Sequence, residues 1–394
     1  MNINWSAIIM NLGAKLNDIV AENNKKLVLN TLRLRGDMSR ADLSRLLELS
    51  FPAVSANVKL LLDENYIVEI GAGDNARGRK STLLSFNAKR KFIIGVDLGR
   101  FRVRMMLADL LGSEVISAET NNTIDSSDSK NGIDFLKDFV LDVVKKSGQS
   151  ISDISCIVIG MPGIVKNGIS SIGPYSEGSF TQDLVSILKD TFEADVILEN
   201  CVNLGAVGEQ RKGAGINYKN ITYIAYGVGL GSAHIIDGNL FTGSTGSAGE
   251  IGFMVTDPAY ISNKYVKSGS LEQLLSISKI KHYINDNNFN EEIIKLVNNY
   301  KTGDDMYARV MFEEIAMNFA TMLVNISCVL DPEIIIISGG LGQNLGILFL
   351  EQWEKWVGNH IPFPPELVIS KLNHTETMLG AVMRGVEHVN EYSV

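Results

Sequence analysis

One pattern occurs twice in this chain and limits the folds open to it. Phe92-Ile93-Ile94-Gly95-Val96-Asp97-Leu98-Gly99 is an apolar strand that ends in a glycine turn. A second strand follows at Val103–Ala108, then a turn at Asp109 to Gly112 and a third strand. About 130 positions later the order returns: Ile221-Thr222-Tyr223-Ile224-Ala225-Tyr226-Gly227-Val228-Gly229, then Ser232-Ala233-His234-Ile235-Ile236, a turn at Asp237-Gly238, and Leu240-Phe241. Further buried strands are predicted at Cys156–Ile159, Val196–Leu198 and Ile334–Ile337. They alternate with helical stretches around 134–146, 201–212 and 311–329. Strands alternating with helices predict α/β layers, and two related halves predict two lobes with a small-molecule site between them.

A chain of 394 residues exceeds one ordinary domain. No stretch reaches the roughly 18 uninterrupted apolar residues of a membrane helix, and Met1-Asn2-Ile3-Asn4-Trp5 lacks the basic region of a signal peptide. A cytoplasmic protein is expected. Cys156, Cys201 and Cys328 are too far apart for a disulfide framework or a Cys-x-x-Cys clamp, and none of the five histidines has a His-x-x-x-His spacing, so no metal is expected; no other cofactor is expected either.

Charge separates the N-terminal segment from the rest. Residues 21–92 carry 13 Lys/Arg against 8 Asp/Glu, within a chain whose net charge is −9. A basic head on an acidic body suits a nucleic-acid reader, although an unevenly charged surface accounts for charge alone equally well. Local patterning favours the reader. Val28, Leu29 and Leu32 give a helix over 25–35 that Gly36 stops. Ser39-Arg40-Ala41-Asp42 has the form of a capping box ahead of Leu43, Leu46 and Leu47. Ser50 can cap a third helix, with Pro52 in its first turn and Val54, Val58, Leu61 and Leu62 as its buried stripe. Its opposite face is expected to offer Ser50, Ser55, Asn57 and Lys59 to base edges and phosphates. Strands at 67–70 and 82–86 flank a glycine-rich tip whose Arg77, Arg79 and Lys80 suit a phosphate backbone.

Taken in order, these motifs resemble the ROK family of repressors and sugar kinases. The resemblance rests on Ser39-Arg40-Ala41-Asp42-Leu43, Gly78-Arg79-Lys80, Gly95-Val96-Asp97-Leu98-Gly99, Gly160-Met161-Pro162-Gly163 and Glu199-Asn200-Cys201-Val202-Asn203. It continues through Gly227-Val228-Gly229-Leu230-Gly231, Gly249-Glu250-Ile251-Gly252-Phe253, Asp331-Pro332-Glu333 and Ser338-Gly339-Gly340. It implies an α/β chain: an N-terminal winged helix-turn-helix followed by a two-lobed, actin-like (ribonuclease H-like) duplicated ATPase fold. The expected division is an extension at 1–21, a DNA-binding head at 22–90, a first lobe at 91–199 completed by 378–394, and a second lobe at 200–377.

Departures from the kinase pattern bear on function. Arg100 and Phe101 stand in the first phosphate loop where family kinases have small residues, and Val228 replaces a hydroxyl in the second. The family's catalytic Asp is Cys201 here, a thiol of reference pKa about 8.5 and a poor partner for magnesium. The family's zinc ligands are also replaced, at Phe253, through 261–266, and at Ser270. By resemblance, Asn200, Glu250 and Glu272 are expected to hydrogen-bond a sugar, with Cys201, Tyr175 and Phe253 lining the same place. The alternative is that Asn200 caps the helix beginning near Cys201 and that the glutamates are surface or loop residues. Asp97, Gly339 and Gly340 are expected to fix their own turns.

The expectation is a kinase-inactive, sugar-responsive repressor binding operator DNA as a homodimer. A sugar kinase with a regulatory head, or a constitutive DNA-binding protein with a vestigial sugar site, are the alternatives.

Overall fold

Serine caps set the architecture of the N-terminal unit. The computed structural model describes residues 5–72, 82–99, 102–121, 129–166, 168–173, 175, 179–227, 229–261, 269–275, 289–303 and 306–392. Ser39 starts helix α2 (Arg40–Leu47) after helix α1 (Trp5–Arg35). Its Oγ accepts the Asp42 amide at 3.2 Å while the Asp42 carboxylate accepts the Ser39 amide at 3.3 Å, so the expected capping box forms. Ser50 accepts the Ala53 amide at 3.3 Å and opens α3 (Phe51–Asp63), with Pro52 harmless in the first turn. Strands β1 (Met38–Ser39), β2 (Ile67–Ala72) and β3 (Thr82–Phe86) pair in the order β1-β3-β2. Val28, Leu32, Leu43, Val54, Val58, Leu61, Ile67 and Leu84 form the core, each at most 1% exposed.

Three details differ from the sequence reading. Helix α1 begins at Trp5 and runs through the expected extension, because residues 5–24 contain no proline and are largely good helix formers. Leu46, expected on the inner face of α2, is exposed. Asn57 lies on the inner face of α3, buried, with its amide donating to the Ala53 carbonyl at 3.0 Å. Positions 54, 57, 58 and 61 follow the i, i+3, i+4, i+7 spacing of one helix face, so periodicity overrides the polarity of the side chain.

The larger unit holds two five-stranded sheets. The first contains β4 (Phe92–Leu98), β5 (Val103–Asp109), β6 (Glu114–Thr120), β7 (Ile154–Met161) and β10 (Asp195–Asn200); β8 (Ile164–Lys166) and β9 (Ile169–Ile172) form a separate hairpin. The second contains β11 (Ile221–Tyr226), β12 (Leu230–Ile236), β13 (Asn239–Phe241), β14 (Ile334–Ser338) and β15 (Glu366–Ile369). Their orders are β10-β7-β4-β5-β6 and β13-β12-β11-β14-β15. Numbered within each lobe, both read 3-2-1-4-5 along the sheet, so the repeat seen in the sequence is a repeat of topology.

Helices α4 (Ser129–Ser147) and α5 (Phe180–Phe192) belong to the first lobe, and α6 (Cys201–Lys212) follows β10 directly. The C-terminal helix, Glu376–Tyr392, lies against β4: a Cβ added at Gly95 would stand 2.7 Å from the Met378 carbonyl oxygen. It also crosses α6 at backbone contact, since a Cβ at Gly380 would meet the Leu204 carbonyl oxygen at 1.8 Å. Glycine is required there by space.

The helix Met306–Leu330 contains a 22-residue segment, Arg309–Leu330, long and apolar enough in composition to cross a membrane. Its inner face is instead the core of the second lobe. Phe312, Ile315 and Phe319 pack there with Trp353, whose indole N–H donates to the Ala316 carbonyl at 3.0 Å.

Candidate functional site

The strand order shared by the two sheets brings several loop ends to the carboxyl ends of parallel strands, where open α/β sheets hold their ligands. At the end of β10, Asn200 is the N-cap of α6. Its Oδ1 accepts the amides of Val202 at 2.7 Å and Asn203 at 3.1 Å, and its Nδ2 donates to the Gly163 carbonyl at 2.7 Å. The helix-capping alternative therefore describes its main contacts, and one Nδ2 hydrogen remains for a ligand.

Cys201 is the first residue of α6. Burial pushes its thiol up to about 12, and the charges of Asp97 and Glu250 push it the same way. At neutral pH it is a neutral, weak hydrogen-bond donor with no capacity as a base.

Glu250 follows a glycine the geometry requires. Gly249 has φ +91°, its carbonyl accepts the Ser232 amide at 2.8 Å, and an added Cβ would stand 1.9 Å from the Ser232 carbonyl oxygen. The loop is thereby pinned to β12. Glu272, in helix α7 (Ser270–Leu275), lies over two glycine backbones: a Cβ at Gly252 would be 3.2 Å from its Oε2, and one at Gly229 3.5 Å from its Oε1. Burial raises both glutamates above the usual carboxylate range, and the charge of Glu250 raises Glu272 further. Such carboxylates gain most from hydroxyl donors that replace lost water.

Asp97 is expected to fix a turn that runs through Arg100 and Phe101, outside the described residues. It pairs with Arg104 at 3.3 Å across to β5, and burial, only partly offset by that guanidinium, holds it up to about 6. Gly339 does fix a helix start: at φ +84° it caps the helix Gly340–His360, with space for no side chain beside Tyr226.

The charges of Asp97 and Glu250 thus reach Cys201, and that of Glu250 reaches Glu272, with Asn200 next to the thiol in the chain. Tyr175 is buried with its ring stacked on Phe180, centroids 4.9 Å apart. Phe253 ends the short turn Ile251–Phe253 and is half-buried. Neither Phe253 nor Ser270 offers a thiolate or imidazole to zinc, so the residues present there do not fit the group. Arg77, Arg79, Lys80, Arg100, Phe101, Val228 and residues 262–266 lie outside the described residues. On α3, Lys59 is exposed and Ser55 half-buried; Pro52 and Ala56 share the exposed face, and Ser50 is engaged as the cap.

Sequence reasoning missed Arg104, Glu209 and Glu376. Glu376 is buried, accepting from Tyr223 Oη at 3.2 Å and from Ser338 Oγ. Glu209 is buried against Ser370 and the Ala214 amide. Both stand on helices where a glutamate ordinarily faces water, so no local signal marks them.

The model of the family described as "ROK family" matches residues 93–384, nearly all of the larger unit. The chain belongs to the ROK family. A xylose repressor from Caldicellulosiruptor bescii is 30% identical over 385 residues, covering 92% of this chain and 95% of that one. Among solved structures, a ROK family transcriptional regulator homologous to the MLC protein of E. coli superposes with TM-score 0.72 at 20% identity, covering 94% of this chain and 96% of that one. A ROK hexokinase from Thermus thermophilus gives TM-score 0.61 at 18% identity. It covers 99% of itself but 76% of this chain. A protein named a transcriptional regulator and one named a hexokinase thus share this fold, and the regulator covers a larger part of the chain.

Proposed function

We propose that the chain is a sugar-responsive transcriptional repressor that binds operator DNA and does not transfer phosphoryl groups. The observation that carries this reading is Cys201, a protonated thiol at the start of α6 where the family's base is expected, in a chain that aligns with a xylose repressor across head and body alike. Residues 22–90 act as a winged helix-turn-helix, with α3 as the recognition helix and Arg77, Arg79 and Lys80 on the phosphate backbone. The lobes, 91–199 with 378–394 and 200–377, form an actin-like pair, and Asn200, Glu250 and Glu272 hold the sugar's hydroxyls beside Cys201, Tyr175 and Phe253. The protein works in the cytoplasm.

It works as a homodimer, since two heads are needed for two operator half-sites. The outer face of the helix Met306–Leu330 supports this. Met306, Val310 and Met317 are 52% to 72% exposed, beside a groove of about 370 Å³ lined by Met317, Val324 and Trp356. An apolar stripe of that kind suits an isologous contact.

The test uses an operator selected from random duplex DNA. Sugar is expected to change operator affinity at least tenfold, while ATP turnover stays at background for the wild type and for Cys201→Asp. Sugar-dependent ATP turnover by either protein overturns the reading.

A further inference from the structure

A hollow of about 310 Å³ lies in the first lobe, between the β5–β6 edge and the start of the C-terminal helix. Arg102, Arg104, Ser117, Glu119, His374 and Thr375 are among its lining residues. Its volume is that of a small-molecule site. We propose that it binds a phosphomonoester or inorganic phosphate dianion, separately from Glu250 and Glu272 and independently of the sugar-repressor reading.

Two guanidiniums carry the argument. The Glu119 carboxylate lies across both of them, Oε1 at 3.0 Å from Arg102 Nη1 and Oε2 at 2.8 Å from Arg104 Nε. That is the bridging geometry an anionic ligand adopts between two arginines. Among the described residues, Glu119 and Asp97 engage three of the ten N–H donors the pair offers. Glu119 is about half exposed and can swing away, and a dianion brings twice its charge to the same donors.

The opposite wall has matching polarity. The C-terminal helix of 17 residues begins at Glu376, and Thr375 and Met378 of its first turn line the hollow. The Thr375 hydroxyl donates backward to the Leu372 carbonyl at 2.6 Å instead of capping, and the Glu376 carboxylate turns away to Ser338 and Tyr223. The Thr375 side chain therefore leaves the first amides of the helix uncapped on the side of the hollow. His374 adds an imidazole to the same wall.

Arg104 also links the hollow to the thiol neighbourhood. It is the cation that offsets Asp97, and Asp97 bears on Cys201. An anion that draws Arg104 away from Asp97 changes the charge beside Cys201, which gives the hollow a route to influence the other site.

The experiment is calorimetric titration of the full chain, in buffer free of phosphate and sulfate, with inorganic phosphate and separately with glucose 6-phosphate. At least one dianion is expected to bind, the sugar phosphate more tightly if the hollow reads the whole molecule and equally if it reads phosphate alone. Arg102→Gln should weaken binding about tenfold, the loss of one charged hydrogen-bonding group. Glu119→Gln should tighten it severalfold, which a purely structural salt bridge would not do. Failure of both dianions to bind at millimolar concentration overturns the proposal, as does binding unchanged in both variants. Dianion binding that a neutral sugar abolishes and that Arg102→Gln leaves unchanged would place the anion at the sugar site and would also overturn it, leaving the repressor reading untouched.

Discussion

The two lobes share a strand order but satisfy charge differently. In the first, Asp97 is answered by Arg104, which Glu119 ties in turn to Arg102. In the second, the buried sheet is neutral. His234 is held down to about 4 by burial and sits between Thr222 and Ser232, while Glu250 and Glu272 have no ion pair among the described residues. A duplicated fold has thus kept its frame in both halves while leaving uncompensated carboxylates in one. Buried charge without a partner costs stability and is where a hydroxyl-bearing ligand gains most.

The largest expected effect tests the frame of the second lobe. Gly249→Ala should cost about 3 kcal/mol or more in urea unfolding, because the left-handed backbone and the Ser232 carbonyl both reject a methyl group. Gly238→Ala, also left-handed but with nothing near its Cβ, should cost about 1 kcal/mol. Equal losses would remove the packing half of the argument.

Asp97 sharpens the contrast from the first lobe. Its folded pKa, about 6, lies above the roughly 3.9 of an unfolded Asp, so the folded chain holds the proton more tightly. The stability this contributes is complete below about pH 4 and is lost as pH rises to about 6. Asp97→Asn should flatten that fall and leave the protein on the order of 1–2 kcal/mol more stable at pH 7. An unchanged slope in a pH series of unfolding curves would show that Arg104 compensates Asp97 fully.

The unpaired carboxylates predict a trade. Glu272→Gln should weaken sugar binding about tenfold while stabilising the free protein by up to about 1 kcal/mol, because a neutral amide is easier to bury there. Thermal unfolding with and without sugar reads both. A variant that loses stability and keeps affinity would assign Glu272 to structure.

How far sequence reaches depends on how local the cause is. The capping box at Ser39 and Asp42, the cap at Ser50 and the duplicated strand pattern all formed as read, since each is decided within a few residues. Asn200 was harder, because its second role depends on the carbonyl of Gly163, 37 positions away. Arg104 and Glu376 acquire their roles only when strands and helices distant in sequence are brought together. Asn57 was legible and misread: its position in the stripe with Val54, Val58 and Leu61 outweighs its polarity. Asn57→Ala is therefore the smallest effect expected here. It should cost about 1 kcal/mol of head stability for one buried hydrogen bond and leave operator preference unchanged, whereas Lys59→Ala should reduce operator affinity.

The most direct test of the central claim is fluorescence anisotropy of a labelled operator with the full chain, titrated with and without a panel of pentoses and hexoses, for wild type and Glu272→Gln. At least one sugar should change operator affinity at least tenfold in the wild type, and Glu272→Gln should need about ten times more of it for the same change. Operator binding that no sugar alters, or an identical sugar response in Glu272→Gln, would contradict the account.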